Sequence, residues 1–138
     1  MWLQIAFLGA LAAPSVLGSG LESPGLRPLT RRGDALLAAG QYTDATRAYS
    51  DALELAPESY LLLYKRATAY FSQNRHSQAT ADFDKVLELT GDEFDKALFM
   101  KARLYAREGK WAEATKYATE YSQKNKGDTS AVDLVSSS

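Results

Sequence analysis

The stretch that decides the fold covers residues 60–89 and reads YLLLYKRATAYF-SQNRHS-QATADFDKVLEL. On each side of its polar break, apolar residues recur at the i, i+4, i+7 spacing of one helical face. Asn74 lies in the break, and asparagine tolerates the left-handed conformation that ends many helices. The stretch therefore predicts two short amphipathic helices joined by a tight turn. The apolar faces comprise Leu63, Ala67 and Tyr70 in the first helix, and Ala79, Phe83 and Val86 in the second.

The same pattern occurs three times along the chain. Alignment on Ala45, Ala79 and Ala114 gives spacings of 34 and 35 residues (79 − 45 and 114 − 79). Helices this short are marginal alone in water, so each pair needs neighbours against which to bury its apolar face. We therefore predict units at about 26–59, 60–93 and 95–128, with Phe94 as a one-residue insertion. The alignment also matches Gly40, Asn74 and Gly109 at the turn, and Tyr49, Phe83 and Ala118 on the second helix.

A period near 34 with this pattern resembles the tetratricopeptide repeat, a helix-turn-helix unit. The resemblance implies an all-α solenoid of about three units. The apolar residues at the amino terminus predict a signal-like helix before it. The strings YLLLYKRATAY (60–70) and DFDKVL (82–87) are also similar to the amino-terminal repeats of the DnaJ-type co-chaperones of the endoplasmic reticulum, and this similarity covers about residues 33–123. Such proteins carry a signal peptide, a long repeat array and a J domain.

The sequence departs from that family in one respect that bears on partners. It has no His-Pro-Asp motif, the tripeptide through which a J domain stimulates its Hsp70 partner. The resemblance therefore implies a lumenal Hsp70 partner only if a J domain is supplied elsewhere. The three units and a short polar end suggest a natural short form or a fragment of a longer protein, because repeat arrays usually end in a capping helix.

Composition argues against several classes of function. The 16 basic and 17 acidic residues are interspersed along the chain, whereas a nucleic-acid-binding protein concentrates lysine and arginine in a patch. There is no cysteine and one histidine, His76, which occupies a repeat position. Asp82 and Asp84 are two apart on a helix and do not face each other. No phosphate-binding loop or metal-ligand spacing occurs, so we predict no enzyme, no cofactor, no metal and no nucleic acid.

The amino terminus predicts a secretory leader. Residues 1–13 are mostly apolar and are followed by Pro14 and small residues, as in a signal peptide. We expect a signal peptide at 1–18, a linker at 19–27, the repeat domain at 28–128 and a disordered tail at 129–138. The mature protein would then be lumenal or secreted and free of the membrane, and cytoplasmic if the leader is misread. Retention in the lumen would need a partner, because the chain ends in three serines and not in Lys-Asp-Glu-Leu.

Family geometry places the first helix of each unit on a concave groove. The resemblance implies capture of unfolded or apolar client segments there, or, as the alternative, an adaptor that binds one folded partner or peptide. Relatives that grip Hsp70 and Hsp90 tails use a carboxylate clamp, and of the matching positions (Thr30, Asp34, Lys65, Lys96 and Met100) only Lys96 agrees. For Leu61 and Phe71, packing against a neighbouring unit or the amino-terminal linker stays open, and for Arg103 a solvated face stays open. The implied groove residues are Leu61, Tyr64, Thr68, Phe71, Lys96, Phe99 and Arg103.

Overall fold

The computed structural model describes residues 24–126, and this part consists of six α-helices with short connections. No strand occurs among the described residues, so the all-α prediction is confirmed. The predicted leader, most of the linker and the predicted tail lie outside the described residues. The helices are α1 Leu26–Ala38, α2 Tyr42–Leu55, α3 Tyr60–Ser72, α4 His76–Thr90, α5 Asp95–Arg107 and α6 Trp111–Lys124.

Consecutive helices pack as three hairpins. The pairs α1–α2, α3–α4 and α5–α6 make the most extensive contacts, and α2–α3 and α4–α5 join one hairpin to the next. The first helices begin at Leu26, Tyr60 and Asp95. This stack confirms the predicted solenoid of helix-turn-helix units.

The three hairpin turns share one geometry. Gly40, Asn74 and Gly109 have φ angles of +78°, +62° and +79°. A residue in this left-handed conformation lets the next N–H reach back to a carbonyl near the end of the first helix. That hydrogen bond recurs in each turn: Gln41 to Leu36 at 2.8 Å, Arg75 to Tyr70 at 2.9 Å, and Lys110 to Tyr105 at 2.9 Å.

Small residues on both helices let each hairpin close. The aligned alanines of the second helices, Ala45, Ala79 and Ala114, are fully buried, as the alignment predicts. The first helices contribute a second small position that the sequence analysis missed. In hairpin one it is Gly33, where an added Cβ would lie 2.5 Å from Cε1 of Tyr49. Ala67 and Ala102 occupy the same register and are fully buried.

Two ion pairs tie first helices to second helices. Arg66 donates to both carboxylate oxygens of Asp82, at 2.7 and 2.8 Å, and Lys101 donates to Asp84. Burial lowers the pKa of Lys101, but its bonds to Asp84 and Tyr117 raise it by more, so the ammonium stays charged. Asp82 and Asp84 thus serve separate structural pairs. Among residues 24–126, no helix combines the length and the apolar character needed to cross a bilayer.

Candidate functional site: a surface with two different ends

Side-chain contacts between hairpins place α1, α3 and α5 side by side. Lys65 of α3 lies 2.9 Å from the Oδ2 atom of Asp34 on α1. Phe71 of α3 lies beneath Arg107 of α5, whose guanidinium carbon is 4.5 Å from the ring centroid. The side chains that α1, α3 and α5 share along this side form one surface, which we call the first-helix surface.

The open end of this surface consists of Tyr60, Leu61 and Phe94, where α3 and α5 begin. Leu61 is 48% exposed and Tyr60 is 38% exposed. The Phe94 ring stands edge-on to Tyr60 at 5.2 Å between centroids, and to Tyr64 at 5.1 Å. A cleft of about 440 Å³ adjoins them, lined by Tyr60, Leu89, Thr90, Glu93 and Phe94. Apolar side chains are therefore accessible at this end.

The covered end consists of Phe71, Arg103 and Arg107, where α3 and α5 finish. Phe71 is only 5% exposed. Besides Arg107, the guanidinium of Arg103 lies 5.5 Å from the Phe71 centroid, and the His76 ring stacks against Phe71 at 6.0 Å. The alternative of packing against a neighbouring unit therefore holds for Phe71. A guest chain at this end meets guanidinium groups and not the ring.

Tyr64 and Thr68 lie between the two ends. Tyr64 is half-buried, with its ring 5.8 Å from that of Phe83. Burial raises the pKa of Tyr64, and the positive charge of Arg103 opposes that rise. The Thr68 hydroxyl donates to the Tyr64 carbonyl oxygen at 2.9 Å. Tyr64 therefore offers part of its ring to the surface, while the Thr68 hydroxyl is already used within α3.

The remaining predicted residues lie on α5. Phe99 is half-buried and stands edge-on to Tyr121 at 5.1 Å, so it presents a smaller apolar area than predicted. Lys96 and Arg103 are exposed. The seven predicted residues thus all lie on α3 or α5, and among them the most exposed apolar side chain is that of Leu61.

Sequence reasoning missed the parts played by Tyr60 and Phe94. Phe94 was treated as an insertion between repeats, and an insertion has no place in a periodic pattern. Yet Phe94 follows Tyr60 by 34 residues, which is one period. That spacing was the available signal that the two rings meet where neighbouring hairpins join.

The positions of the carboxylate clamp hold other interactions here. Asp34 accepts hydrogen bonds from Lys65 at 2.9 Å and from the Tyr49 hydroxyl at 2.6 Å. Met100 is buried. These positions therefore do not form an open set of cations for a terminal carboxylate.

Charge is segregated between the two sets of helices, which reading along the chain did not reveal. The first helices α1, α3 and α5 together carry nine lysines and arginines against two acidic residues. The second helices α2, α4 and α6 carry four against eight. The first helices therefore carry a net positive charge and the second helices a net negative one. Within residues 24–126, no group of acidic and histidine side chains is arranged to hold a metal ion.

A stack of helical hairpins that presents one set of helices as an extended surface defines a class of proteins that bind other proteins. The chain belongs to the tetratricopeptide repeat family, whose pattern matches residues 30–95 and 64–128. This fold is a protein-interaction module.

Individual relatives agree with that assignment. The chain is 38% identical over 111 residues to the tetratricopeptide repeat and J domain-containing co-chaperone DNJ1 of Cryptococcus neoformans, a match that covers 80% of this chain and 21% of the relative. The chain thus spans about a fifth of that relative's length, within its repeat region. The resemblance to the repeats of DnaJ-type co-chaperones is confirmed.

Solved structures share the fold. The crystal structure of the P58(IPK) TPR domain superposes with a TM-score of 0.67 at 28% identity, covering 81% of this chain and 31% of that one. The first TPR domain of Spaghetti (RPAP3), bound to the HSP90 peptide SRMEEVD, superposes with a TM-score of 0.76 at 20% identity, covering 85% and 92%. The second similarity concerns the fold alone.

Proposed function

We propose that the chain is the protein-binding module of a co-chaperone of the endoplasmic-reticulum lumen, and that it captures unfolded or apolar client segments on its first-helix surface. The open end carries this proposal, because Leu61 and Tyr60 are exposed there and Tyr60 lines a cleft together with Leu89, Phe94, Thr90 and Glu93. Exposed apolar side chains that cluster in this way mark interaction sites. Each apolar side chain that a guest buries contributes roughly 1.5–3 kcal/mol. Two or three such contacts suit weak binding that tolerates many sequences.

The co-chaperone role is supported by the 38%-identical relative, which is a co-chaperone with the same kind of repeats. The lumenal location depends on the leader that the first eighteen residues predict. The alternative location, the cytoplasm, applies if the leader is misread. Amino-terminal sequencing of the secreted or lumenal form tests the leader: a start near Ser19 agrees with the signal-peptide prediction, and an intact Met1 contradicts that prediction.

The alternative function is an adaptor that docks one folded partner or peptide. A fold neighbour was solved with an HSP90 peptide bound, which favours peptide docking as a second candidate. The positions that match the carboxylate clamp argue against that particular ligand here, because Asp34 and Lys65 already satisfy each other. An adaptor would therefore need a different set of contacts.

Suppression of aggregation tests the proposal. The purified protein should reduce light scattering by several unrelated denatured proteins, and Leu61→Ser should lose most of this effect because it removes the most exposed apolar side chain of the open end. Leu55→Ser is the matched control, since Leu55 is 43% exposed but lies at the end of α2. Tight binding to a single partner without general suppression would favour the adaptor, and equal loss in both variants would contradict the assigned site.

A further inference from the structure

The charged side chains of the first-helix surface indicate which kind of protein segment it binds. Several of its cations are neutralised within the protein: Arg66 by Asp82, Lys101 by Asp84, and Lys65 by Asp34. Of the cations on α3 and α5, three others are not. Among the described residues, no carboxylate lies within ion-pair distance of Lys96, Arg103 or Arg107. Two of these three cations form the covered end.

The guanidinium groups of the covered end are held in place but keep free hydrogen-bond donors. The Phe71 ring supports both by cation–π contact, at 4.5 Å for Arg107 and 5.5 Å for Arg103. Arg107 donates one N–H to the Asn74 side-chain oxygen at 3.5 Å, and Arg103 makes a weak contact with the Met100 sulfur at 3.7 Å. A guanidinium has five N–H donors and pairs well with carboxylates. Most of these donors remain for a ligand.

Nearby carboxylates do not compete for these donors. Glu108 directly follows Arg107, but its oxygens lie 3.1 Å from His76 and 3.4 Å from Lys110. Asp34 is bound to Lys65 and Tyr49. The covered end therefore carries two guanidinium groups that no carboxylate of residues 24–126 neutralises.

The two ends are separated by a distance that one extended segment can bridge. Leu61 and Phe71 are ten residues apart on α3, which corresponds to about 15 Å along the helix axis. An extended chain rises about 3.3 Å per residue, so about four or five residues reach from one end to the other. A single guest segment can therefore contact both.

We infer that the guests of this surface are apolar protein segments with an acidic residue about four or five positions from the apolar residues: the open end takes the apolar side chains, and Arg103 and Arg107 bind the carboxylate. This inference rests on the proposed capture function and adds charge selectivity to it. The guest is a protein segment and not a nucleic acid, because the cationic site consists of two arginines and the other end of the same surface is apolar.

Labelled peptides of matched design test the inference by fluorescence anisotropy. Each peptide has a core, Leu-Phe-Leu or Ser-Gly-Ser, and a pair of residues four positions away. The pair is acidic (Asp-Glu), neutral (Ser-Ser) or basic (Lys-Lys), and each peptide is made in both chain directions. With the apolar core, the acidic pair should bind about tenfold more tightly than the basic pair at low salt, the effect of one charge-assisted contact. The difference should shrink at 0.5 M NaCl because salt screens exposed charges.

Variants of the covered end link the selectivity to its two arginines. Arg103→Gln with Arg107→Gln should abolish the preference for acidic over basic peptides that share the apolar core. Arg103→Lys with Arg107→Lys keeps the charges and should retain most of the preference. The control, Arg47→Gln with Lys85→Gln, removes two charges from α2 and α4 and should leave the preference intact. Circular dichroism confirms that each variant is folded.

The outcomes separate this inference from the proposed function. Equal binding of acidic and basic peptides that share the apolar core overturns the inference but leaves apolar capture in place. Equal binding of both cores with an acidic pair overturns apolar capture but keeps the acidic preference. If no peptide binds, both are overturned. If a single-stranded oligonucleotide binds more tightly than every peptide, the surface is assigned to nucleic acid and the inference fails.

Discussion

The open end and the covered end of the first-helix surface both present an aromatic residue of α3, yet only one ring is accessible. At the open end Tyr60 is 38% exposed, and its ring contact is the edge of Phe94. At the covered end Phe71 is 5% exposed, because Arg103 and Arg107 from the next hairpin lie over it. The availability of a ring in this stack thus depends on what the following first helix carries opposite it.

This difference assigns the two ends to different tasks. The apolar side chains of the open end are accessible to a guest, whereas Phe71 contributes to the packing between hairpins two and three. The covered end keeps its cations outward and so adds charge to a surface that is otherwise apolar near Leu61. Three changes test or sharpen the distinction.

The largest expected effect is that of Phe71→Ala on stability. Truncating a buried phenylalanine to alanine lowers the free energy of unfolding by roughly 3–5 kcal/mol, because it removes buried apolar area and leaves a cavity. Leu61→Ala at the open end should change the unfolding free energy by no more than about 0.5 kcal/mol, as for other exposed side chains. Urea denaturation followed by circular dichroism measures both. Similar losses for the two variants would mean that the ends do not differ as described.

A smaller effect on stability is expected when one of the two guanidinium groups that contact the Phe71 ring is removed. Arg107→Gln should lower the unfolding free energy by about 0.5–1 kcal/mol, the usual size of an exposed cation–π contact. Arg47→Gln provides the comparison, because the Arg47 side chain is 72% exposed and its ion-pair partner within residues 24–126 is Asp44 at 3.6 Å. The same denaturation experiment applies. If Arg107→Gln costs no more than this control, the guanidinium does not stabilise Phe71.

The smallest effect concerns Tyr64, which lies between the ends. Burial raises its pKa, and the charge of Arg103 opposes the rise. The folded-state pKa of Tyr64 therefore exceeds its unfolded value of about 10. The neutral Tyr64 side chain favours the folded state below that pH, and this contribution to stability is lost as the pH rises through the folded-state pKa. Arg103→Gln removes that positive charge and should therefore raise the Tyr64 pKa further. A ¹³C NMR titration of the tyrosine rings measures the change. Tyr105 is the internal control, because burial and the neighbouring charges of Lys101, Tyr117, Asp84 and Lys110 shift its pKa and Arg103 does not. A lower or unchanged value for Tyr64 would contradict the placement of Arg103.

The fold follows from periodic features that a single sequence displays. Ala45, Ala79 and Ala114 mark the register of three hairpins, and Asn74 marks a left-handed turn that recurs at the two aligned glycines. Such local signals suffice to predict the fold, because each repeat packs its two helices with the same residue types at the same positions. Gly33 escaped notice because it becomes informative only when Tyr49 is seen against it.

The site was less predictable because its character arises between repeats. Placing Phe71 in the groove was consistent with its position in its own unit, but the sequence does not say that Arg103 and Arg107, 32 and 36 residues later, lie over its ring. Phe94 belongs to the open end although it interrupts the period. The segregation of charge likewise appears only when residues are sorted by helix.

Methyl-resolved NMR of the protein with an unfolded client tests the central claim most directly, which is that apolar segments bind at the open end. The account predicts that the Leu61 methyl signals shift or broaden on addition of client, while those of Leu55 do not. Changes confined to Leu55, or an unchanged Leu61 when client binding is otherwise evident, would contradict it.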